Sequence, residues 1–414
     1  MLHYRIGPAH SDTAMQLQDK QGSVAHLTYC SNIHPGESWA EVLSNVEKHI
    51  PLVRNAIQSI EPFGIGLRLS AEAVSTLDNQ TAINRFKQVL ADHNCYVFTI
   101  NGFPYGPFHG TRVKEEVYLP DWKDPERLRY TNQIADVFSE FLPPDQTGSI
   151  STVPGAFKAN VTGKEDIKLM TSHMVKHCAH LVRLEKTRNT SIVLALEPEP
   201  CCFLETVDES LNFFRDHLFG DASTRQLQAE LDIDTEEAQR LLRKHLTICL
   251  DLCHAAVEFE DPATCLSDLR EADITIGKLQ ISAGLRLQNV TPDSAELLRP
   301  FFDKVYLHQV VENHNGTLNR YTDLPEAFNN LKDDQLPREW RVHFHVPVFL
   351  DDLGDFSSTQ FFIKEALALH KESAISKHLE VETYTWDVLP DTYKNQSIDE
   401  AIARELNWVR HQLA

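Results

Sequence analysis

The sequence predicts a single (β/α)8 barrel over residues 1–414. Short β-branched or apolar runs alternate with longer helical patterns along the whole chain, which favours a parallel sheet covered by helices. No linker rich in Gly, Ser or Pro divides the chain, and its length of 414 residues suits one large barrel with insertions. Gly-x-Gly-x-x-Gly and Walker-type phosphate loops are absent, which weakens a doubly wound nucleotide-binding fold.

The sequence contains ten strand-like runs, whereas such a barrel has eight strands. They are His26–Asn32, Ile65–Ser70, Tyr96–Asn101, Ser149–Val153, Ile192–Glu197, Leu246–Asp251, Gly277–Ser282, Val305–Val310, Arg341–Val346 and His378–Thr383. We therefore expect one or two of the runs between Val305 and Val346 to form an inserted hairpin.

Helix starts separate these runs. An amphipathic segment opens at Glu37-Ser38-Trp39 and runs to Val53. Thr162–Glu165 resembles a capping box before the helix that carries His173, His177 and His180, and Asp234–Glu237 resembles another. We expect the three histidines to lie on the outer helical layer.

The charge balance excludes some partners. The formal net charge is −21. Nucleic-acid binders gain much of their affinity by neutralising phosphates, so nucleic acid and anionic membrane surfaces are poor partners for this chain. No apolar run approaches the roughly 18 residues of a membrane span, and the first residues do not resemble a signal peptide.

The eight cysteines show no C-x-x-C or zinc-ribbon spacing, and several lie in apolar runs. We expect buried free thiols in a reducing compartment. Together with the missing signal peptide, this predicts a cytoplasmic protein.

Polar side chains gather late on one face of the strands. Residues two apart in a strand share a face, so Glu197 and Glu199 oppose the leucines of their run. The same parity holds for Asp251, for Lys278 and Gln280, for Arg341, His343 and His345, and for Glu380 and Glu382. In a barrel this face is the lumen, and its C-terminal mouth carries the active site.

Several carboxylates at that mouth need a cation. Burying a lone carboxylate costs several kcal/mol, and two or more would also repel each other. Mixed oxygen and nitrogen donors suit Mn, Mg, Zn or Fe. The alternative is a structural carboxylate paired with Arg68, Lys278 or Arg341.

Two loops add candidates for substrate contact. His34 follows the first strand, and the Gly- and Pro-rich loop Asn101–His109 follows the third. Such loops shape pockets, although a rigid connection would have the same composition. Residues Lys114–Trp122 are either a lid or a solvated turn.

Glu197-Pro198, Asp251-x-x-His254 and Glu382 at successive late strand ends resemble the xylose-isomerase-like TIM barrels, a superfamily of sugar isomerases, epimerases and endonucleases. The resemblance implies one metal held by a Glu, an Asp, a His or Gln and a final Glu. One departure is the strand Lys278–Ser282, where Gln280 stands instead of the usual His-x-x-Asp, so that His308, His343 or His345 would replace the missing ligand.

Longer strings resemble the EboE family of metabolite traffic proteins. They are Leu27–Trp39, Asn101–His109, Leu196–Pro200, His343–Phe349 and Glu382–Trp386. This resemblance implies a small metabolite that is made or moved, and partners from the same gene cluster, including a UbiA-like prenyltransferase.

The sequence thus supports a metal-dependent isomerase or epimerase of a sugar-like or cyclitol-like metabolite. A carrier that binds at the barrel mouth without turnover is the alternative, and the net charge disfavours an abasic-site nuclease. The expected catalytic residues are Glu197 or Glu382 as the base and Lys278 as a cation for an anionic group. The expected substrate-binding residues are His34, Asn101, His109, Glu199, Gln280, Arg341 and His343. The expected metal ligands are Glu197, Asp251, His254, His345 and Glu382.

Overall fold

Eight parallel strands form a closed ring in the computed structural model, which describes residues 15–107, 114–302, 306–332, 334, 336–389 and 396–414. Strand β1 (Gln16–Gln18) lies outside the ring and pairs antiparallel with the start of β2. The ring strands are β2 (Val24–Tyr29), β3 (Phe63–Arg68), β4 (Cys95–Asn101), β5 (Thr147–Thr152), β6 (Ser191–Leu196), β7 (Leu246–Asp251), β8 (Ile276–Ile281) and β14 (His378–Val381). Each is hydrogen-bonded to the next, and β14 returns to β2.

The ring closes between β2 and β3. Cys30 and Gly66 form a parallel bridge there, and the Thr28 hydroxyl donates to the Gly64 carbonyl oxygen at 2.8 Å. Gly66 is required by a close approach in the lumen, because a Cβ at this position would lie 1.9 Å from Glu380 Oε2. The predicted (β/α)8 barrel is confirmed.

Fourteen α-helices accompany the strands in the described residues. They are α1 (Trp39–Ala56), α2 (Ala71–Leu77), α3 (Gln80–Asp92), α4 (Pro125–Phe138), α5 (Lys164–Arg188), α6 (Val207–Phe213), α7 (Asp221–Leu231), α8 (Thr235–His245), α9 (Leu252–Val257), α10 (Pro262–Glu271), α11 (Pro292–Glu296), α12 (Leu324–Asn330), α13 (Gln360–Glu372) and α14 (Ile398–Leu413). None of the helices that the structure describes is both long and apolar enough to cross a membrane.

Two of the three helix starts that the sequence predicted are capped at the expected residues. Ser38 and Glu41 form a capping box at α1, and the Asp234 side chain accepts from the Glu237 amide at α8. The capping box expected at Thr162 is wrong, because the Asp166 carboxylate accepts from the Thr162 amide and hydroxyl, and Gly163 takes the cap position of α5.

A second, antiparallel sheet is inserted between β8 and β14. Its strands are β9 (Ala283–Gln288), β10 (Val310–His314), β11 (Thr317–Tyr321), β12 (Arg338–Val346) and β13 (Ser357–Ser358), in the order β11-β10-β12-β9-β13. Strands β10 and β11 form a hairpin whose turn residues Asn315 and Gly316 both have positive φ, as a type I′ turn requires. This confirms the expected late insertion, which we call the inserted sheet.

The alternation along the barrel strands separates the core from the lumen. Leu194 and Leu196 are fully buried in the hydrophobic core, whereas Lys278 and Glu380 meet each other inside the ring. All eight cysteines are described and none forms a disulfide, and only Cys201 among them is partly exposed. That residues 1–414 form one domain stays a prediction.

Candidate functional site

Three strand ends bring acidic side chains to one mouth of the barrel. Glu197 follows β6, Asp251 ends β7 and Glu382 follows β14, and all three are at least nine-tenths buried. Glu382 and Asp251 both raise the pKa of Glu197, and Asp251 raises that of Glu382, so the three carboxyl groups share one site. The predicted meeting of distant carboxylates at the C-terminal mouth is present in the structure.

Asp251 is held by its neighbours through a single oxygen. Its Oδ1 accepts from the Ser282 hydroxyl at 2.6 Å and from the His254 amide at 3.0 Å, because Asp251 is the N-cap of α9. In the described part of the chain, Asp251 Oδ2 and Glu197 Oε2 are buried without a hydrogen-bond partner. Such orphaned carboxylate oxygens are costly unless a cation or ligand meets them.

Two histidines present a lone pair to these carboxylates. His254 Nδ1 lies 2.8 Å from the Pro198 carbonyl oxygen, and His345 Nδ1 lies 2.9 Å from the Glu382 carbonyl oxygen. Because a carbonyl oxygen only accepts, each Nδ1 carries the proton and each Nε2 keeps its lone pair. His345 Nε2 has no partner among the described residues.

The third histidine, His343, is oriented by an amide. Gln309 Nε2 donates to the Pro200 carbonyl oxygen at 3.2 Å and to the Tyr118 hydroxyl at 3.0 Å. The carbonyl fixes which end of the amide is nitrogen, so Gln309 Oε1 accepts from His343 Nδ1 at 2.9 Å. His343 Nε2 therefore also carries no proton and keeps its lone pair.

The Nε2 atoms of His254 and His343 face each other at 3.1 Å. Two lone pairs at this distance repel unless a proton or a metal ion lies between or beside them. The ligand atoms of His254, His343 and His345 lie within 4.8 Å of one another, and so do those of Glu197, Asp251 and His254. These two overlapping trios form the candidate metal centre.

Burial sets the charge of the centre. It raises the pKa of Glu197 well above its usual value, with Glu382 and Asp251 adding to the shift, and it raises the pKa of Glu382 to about 8 with help from Asp251. Burial lowers the pKa of His345 to about 4 and that of His343 well below its usual value. His343 and His345 are thus neutral, which is the form that binds metals.

Neither trio includes Glu382. Its Oε1 accepts from Asn32 Nδ2 at 2.7 Å and from Asn101 Nδ2 at 3.2 Å, and its Oε2 lies 3.9 Å from His345 Nδ1. The expected roles of Glu382 as a metal ligand and as the base stay predictions.

Lys278 does not reach the pocket, contrary to its expected catalytic role. It is fully buried below the mouth, where Nζ pairs with Glu380 Oε1 at 2.6 Å and donates to the Ser151 hydroxyl at 3.2 Å. Burial alone would lower the pKa of Lys278, but Glu380 overcomes this effect and raises it. The lysine is a permanent counter-charge beneath the carboxylates.

Three expected substrate contacts are also placed elsewhere. Arg341 donates to the Ala256 carbonyl oxygen and to Glu339, and its guanidinium lies 3.8 Å from the centre of the Phe259 ring. The His34 ring stacks on His49 of α1, with 3.9 Å between centroids. Gln280 lies in the lumen, where its Oε1 accepts from the Cys249 thiol. In each case the side chain bonds to or packs against a residue that does not line the pocket.

The remaining expected residues have clear positions. Asn101, Glu199 and His343 line the pocket, while His109 lies outside the described residues. The helical histidines lie on the outer layer as expected, with His173 bonded to the Trp122 carbonyl oxygen and His177 to Asn132.

Sequence reasoning missed part of the pocket wall. Asn32, Tyr118, Gln309, Tyr306 and Tyr384 all line the cavity. Asn32 and Tyr384 lie in the strings that carried the family resemblance, and Tyr118 lies in the Lys114–Trp122 segment expected as a lid or turn. Glu199 accepts from the Tyr118 hydroxyl at 2.5 Å, which links that segment to the strand end.

Comparison with known proteins finds similar folds only. No family model and no curated protein matches the chain. A xylose isomerase-like TIM barrel protein from Mycobacterium smegmatis in complex with magnesium is 12% identical over 94% of this chain and 96% of that chain, with a TM-score of 0.48. A D-tagatose 3-epimerase-like protein is 12% identical over 94% and 99%, with a TM-score of 0.46. The IOLI protein with a bound zinc atom is 11% identical over 94% and 97%, with a TM-score of 0.45. The barrel assignment rests on the strand order.

Proposed function

We propose that this protein is a metal-dependent isomerase or epimerase of a small metabolite with adjacent oxygens, as in sugars and cyclitols. The observation that carries the proposal is the pair of overlapping trios, in which three imidazoles converge with the orphaned oxygens of Glu197 and Asp251. This set fits a divalent ion. Its three imidazoles favour zinc, iron or manganese over magnesium, because magnesium prefers oxygen ligands.

His254, His343, His345, Glu197 and Asp251 would hold the ion. When bound, a divalent ion polarises a substrate oxygen and stabilises negative charge that develops on it. The three histidines are oriented through Nδ1, which donates a hydrogen bond to the Pro198 carbonyl oxygen, the Glu382 carbonyl oxygen or Gln309 Oε1. The donor set is therefore preorganised.

Glu382 is the residue that would move the proton. Asn32 and Asn101 hold its Oε1, and its raised pKa of about 8 lies near neutral pH, where a general base works best. A buried mouth also excludes water from the carbon that loses its proton. Lys278, beneath the site, limits the repulsion among the carboxylates.

A non-catalytic carrier that binds at the barrel mouth remains the alternative, and Gln280 in place of the usual histidine slightly favours it. His343 and His345 of the inserted sheet lie near His254, which supports the metal-dependent enzyme instead. Partnership with other products of the same gene cluster, including a UbiA-like prenyltransferase, remains a proposal.

Metal analysis and solvent exchange test the proposal. The purified protein should retain at least about one equivalent of a transition metal. In deuterated water it should introduce deuterium at the carbon next to the carbonyl group of at least one compound in a panel of ketoses and cyclitol ketones. Glu382→Gln should keep the metal and lose exchange by at least ~100-fold, as expected for a general base. Glu372→Gln, an exposed control, should change neither. Metal-free protein, or exchange that survives in Glu382→Gln, would refute the assignment.

A further inference from the structure

The cavity above the candidate metal centre has two chemically different halves. It encloses about 550 Å³ of empty space, open solvent included. The floor is polar and consists of Asn32, Asn101, Glu197, Glu199, His254, His343 and Glu382. The upper wall carries four apolar side chains, Phe103, Pro104, Val117 and Leu307, which we call the collar, and Lys114, Tyr306 and Tyr384 also line the cavity.

The floor has few hydrogen-bonding groups left for substrate. The amides of Asn32 and Asn101 donate to Glu382, and the Tyr118 hydroxyl is bonded to both Glu199 and Gln309. Asn32 Oδ1, Glu197 Oε2 and Asp251 Oδ2 are buried without a partner among the described residues, so the floor can meet the two adjacent oxygens of the substrate. Further hydroxyls would need partners higher in the cavity.

The four collar side chains supply no such partners, and Lys114 Nζ beside them already donates to the Tyr306 carbonyl oxygen and to Asp323. Phe103, Val117 and Leu307 are only half-buried, so apolar surface is directed into the cavity where a ligand would cover it. Phe103 stacks on Tyr118 with 5.7 Å between centroids, and Tyr384 packs 4.7 Å from the His345 ring, which extends the aromatic surface down to the floor. A hydroxyl buried against this surface loses its bonds to water and gains none.

We propose that the substrate carries an aryl ring or a hydrophobic group of similar size beside its two adjacent oxygens. The oxygens meet the floor, and the ring fills the collar, where burial of apolar surface and edge or offset stacking on Phe103 favour it. This inference rests on the proposed function for the polar end of the substrate, and it adds the class of the other end.

Two diols that differ only in one substituent test the inference. Propane-1,2-diol and 1-phenylethane-1,2-diol present the same adjacent oxygens, with a methyl group in one and a phenyl ring in the other. Dissociation constants are measured by ligand-observed NMR on the metal-loaded full chain. We expect the phenyl diol to bind at least about tenfold more tightly, as burial of the additional ring surface requires.

Leu307→Asn tests whether the collar causes the preference. This variant should lose most of the tenfold ratio and keep its affinity for propane-1,2-diol and its metal content. Leu297→Asn, which replaces a leucine that is 42% exposed, should retain the wild-type ratio. Melting temperatures of both variants identify any general loss of folding.

The outcomes separate this inference from the proposed function. The inference is overturned if metal-loaded protein binds the two diols equally, binds the smaller diol more tightly or does not measurably bind the phenyl diol. It is also overturned if Leu307→Asn retains the wild-type ratio of the two dissociation constants. Failure of the proposed function would instead appear as a protein without metal, or as exchange independent of Glu382.

Discussion

The tautomer of His343 depends on one neutral side chain. Gln309 Nε2 donates to the Pro200 carbonyl oxygen and to the Tyr118 hydroxyl, so that Gln309 Oε1 is the atom that faces His343 Nδ1. Partners of this kind raise the basicity of a ligating imidazole and fix its ring. Gln309 therefore acts as a positioning residue of the candidate metal centre.

Replacing Gln309 should weaken metal binding without unfolding the protein. We expect Gln309→Leu to raise the dissociation constant for zinc by about 10- to 100-fold, because His343 loses the acceptor that fixes its tautomer. Competition with a chelator measures the affinity. Gln226→Leu, a part-buried glutamine bonded to the Ser172 carbonyl oxygen, is the matched control. Equal affinities in the two variants would contradict the role.

Lys278 and Glu380 should behave as a buried structural pair. Both side chains are fully buried and 2.6 Å apart, so removing one partner leaves an uncompensated charge. We expect Lys278→Met to lower the free energy of unfolding by about 3–5 kcal/mol, and Lys278→Met with Glu380→Met to recover most of that loss. Urea denaturation measures both. A stable single variant would refute the structural role.

At the scale of elements, the site joins two sheets. His343 and His345 lie on β12 of the inserted sheet, whereas Glu197, Asp251 and His254 follow barrel strands or begin α9. An ion held by both sets would link β12 to the barrel. The orientation of Gln309 just before β10 adds a second connection to the same sheet.

Metal removal should therefore loosen the inserted sheet first. A ligand present at a hundredfold excess over its dissociation constant stabilises the folded state by about 2.7 kcal/mol. After chelation, we expect hydrogen exchange to accelerate in β10 and β12 more than in β4 and β5, as mass spectrometry can show. Uniform acceleration across both sheets would mean that the ion does not connect them.

At the scale of the whole molecule, buried acids make stability depend on pH. Burial raises the pKa of Glu405 on α14 to about 7, although it accepts from the Thr383 hydroxyl and the Val348 amide. The folded state then binds more protons than the unfolded state between about pH 4.5 and 7. Stability falls as pH rises through this window and levels off above it.

Glu405→Gln should remove this contribution. The amide oxygen can accept the same two bonds without a charge, so we expect the variant to match wild type near pH 4.5 and to exceed its free energy of unfolding at pH 8 by up to about 3 kcal/mol. Urea denaturation at both pH values measures the difference. Glu400→Gln, at an exposed capping box, should show no gain at pH 8.

Much of the fold was predictable because it depends on local patterns. Alternation marked the barrel strands, and the surplus runs between Val305 and Val346 indicated the insertion. The same period of two cannot tell a barrel strand from a strand of an antiparallel sheet, since side chains alternate in both. The sequence likewise did not reveal β9, which follows β8 after one residue.

The acidic strand ends were determined by the sequence, because parallel strands place their C-terminal residues at one mouth whatever surrounds them. Tertiary structure decided which cations and imidazoles meet them. Glu380 holds Lys278 below the mouth, Phe259 and Glu339 hold Arg341 away from it, and β12 brings His343 and His345 to it. Long side chains bond to partners distant in sequence, and only the packed fold determines which partner is within reach.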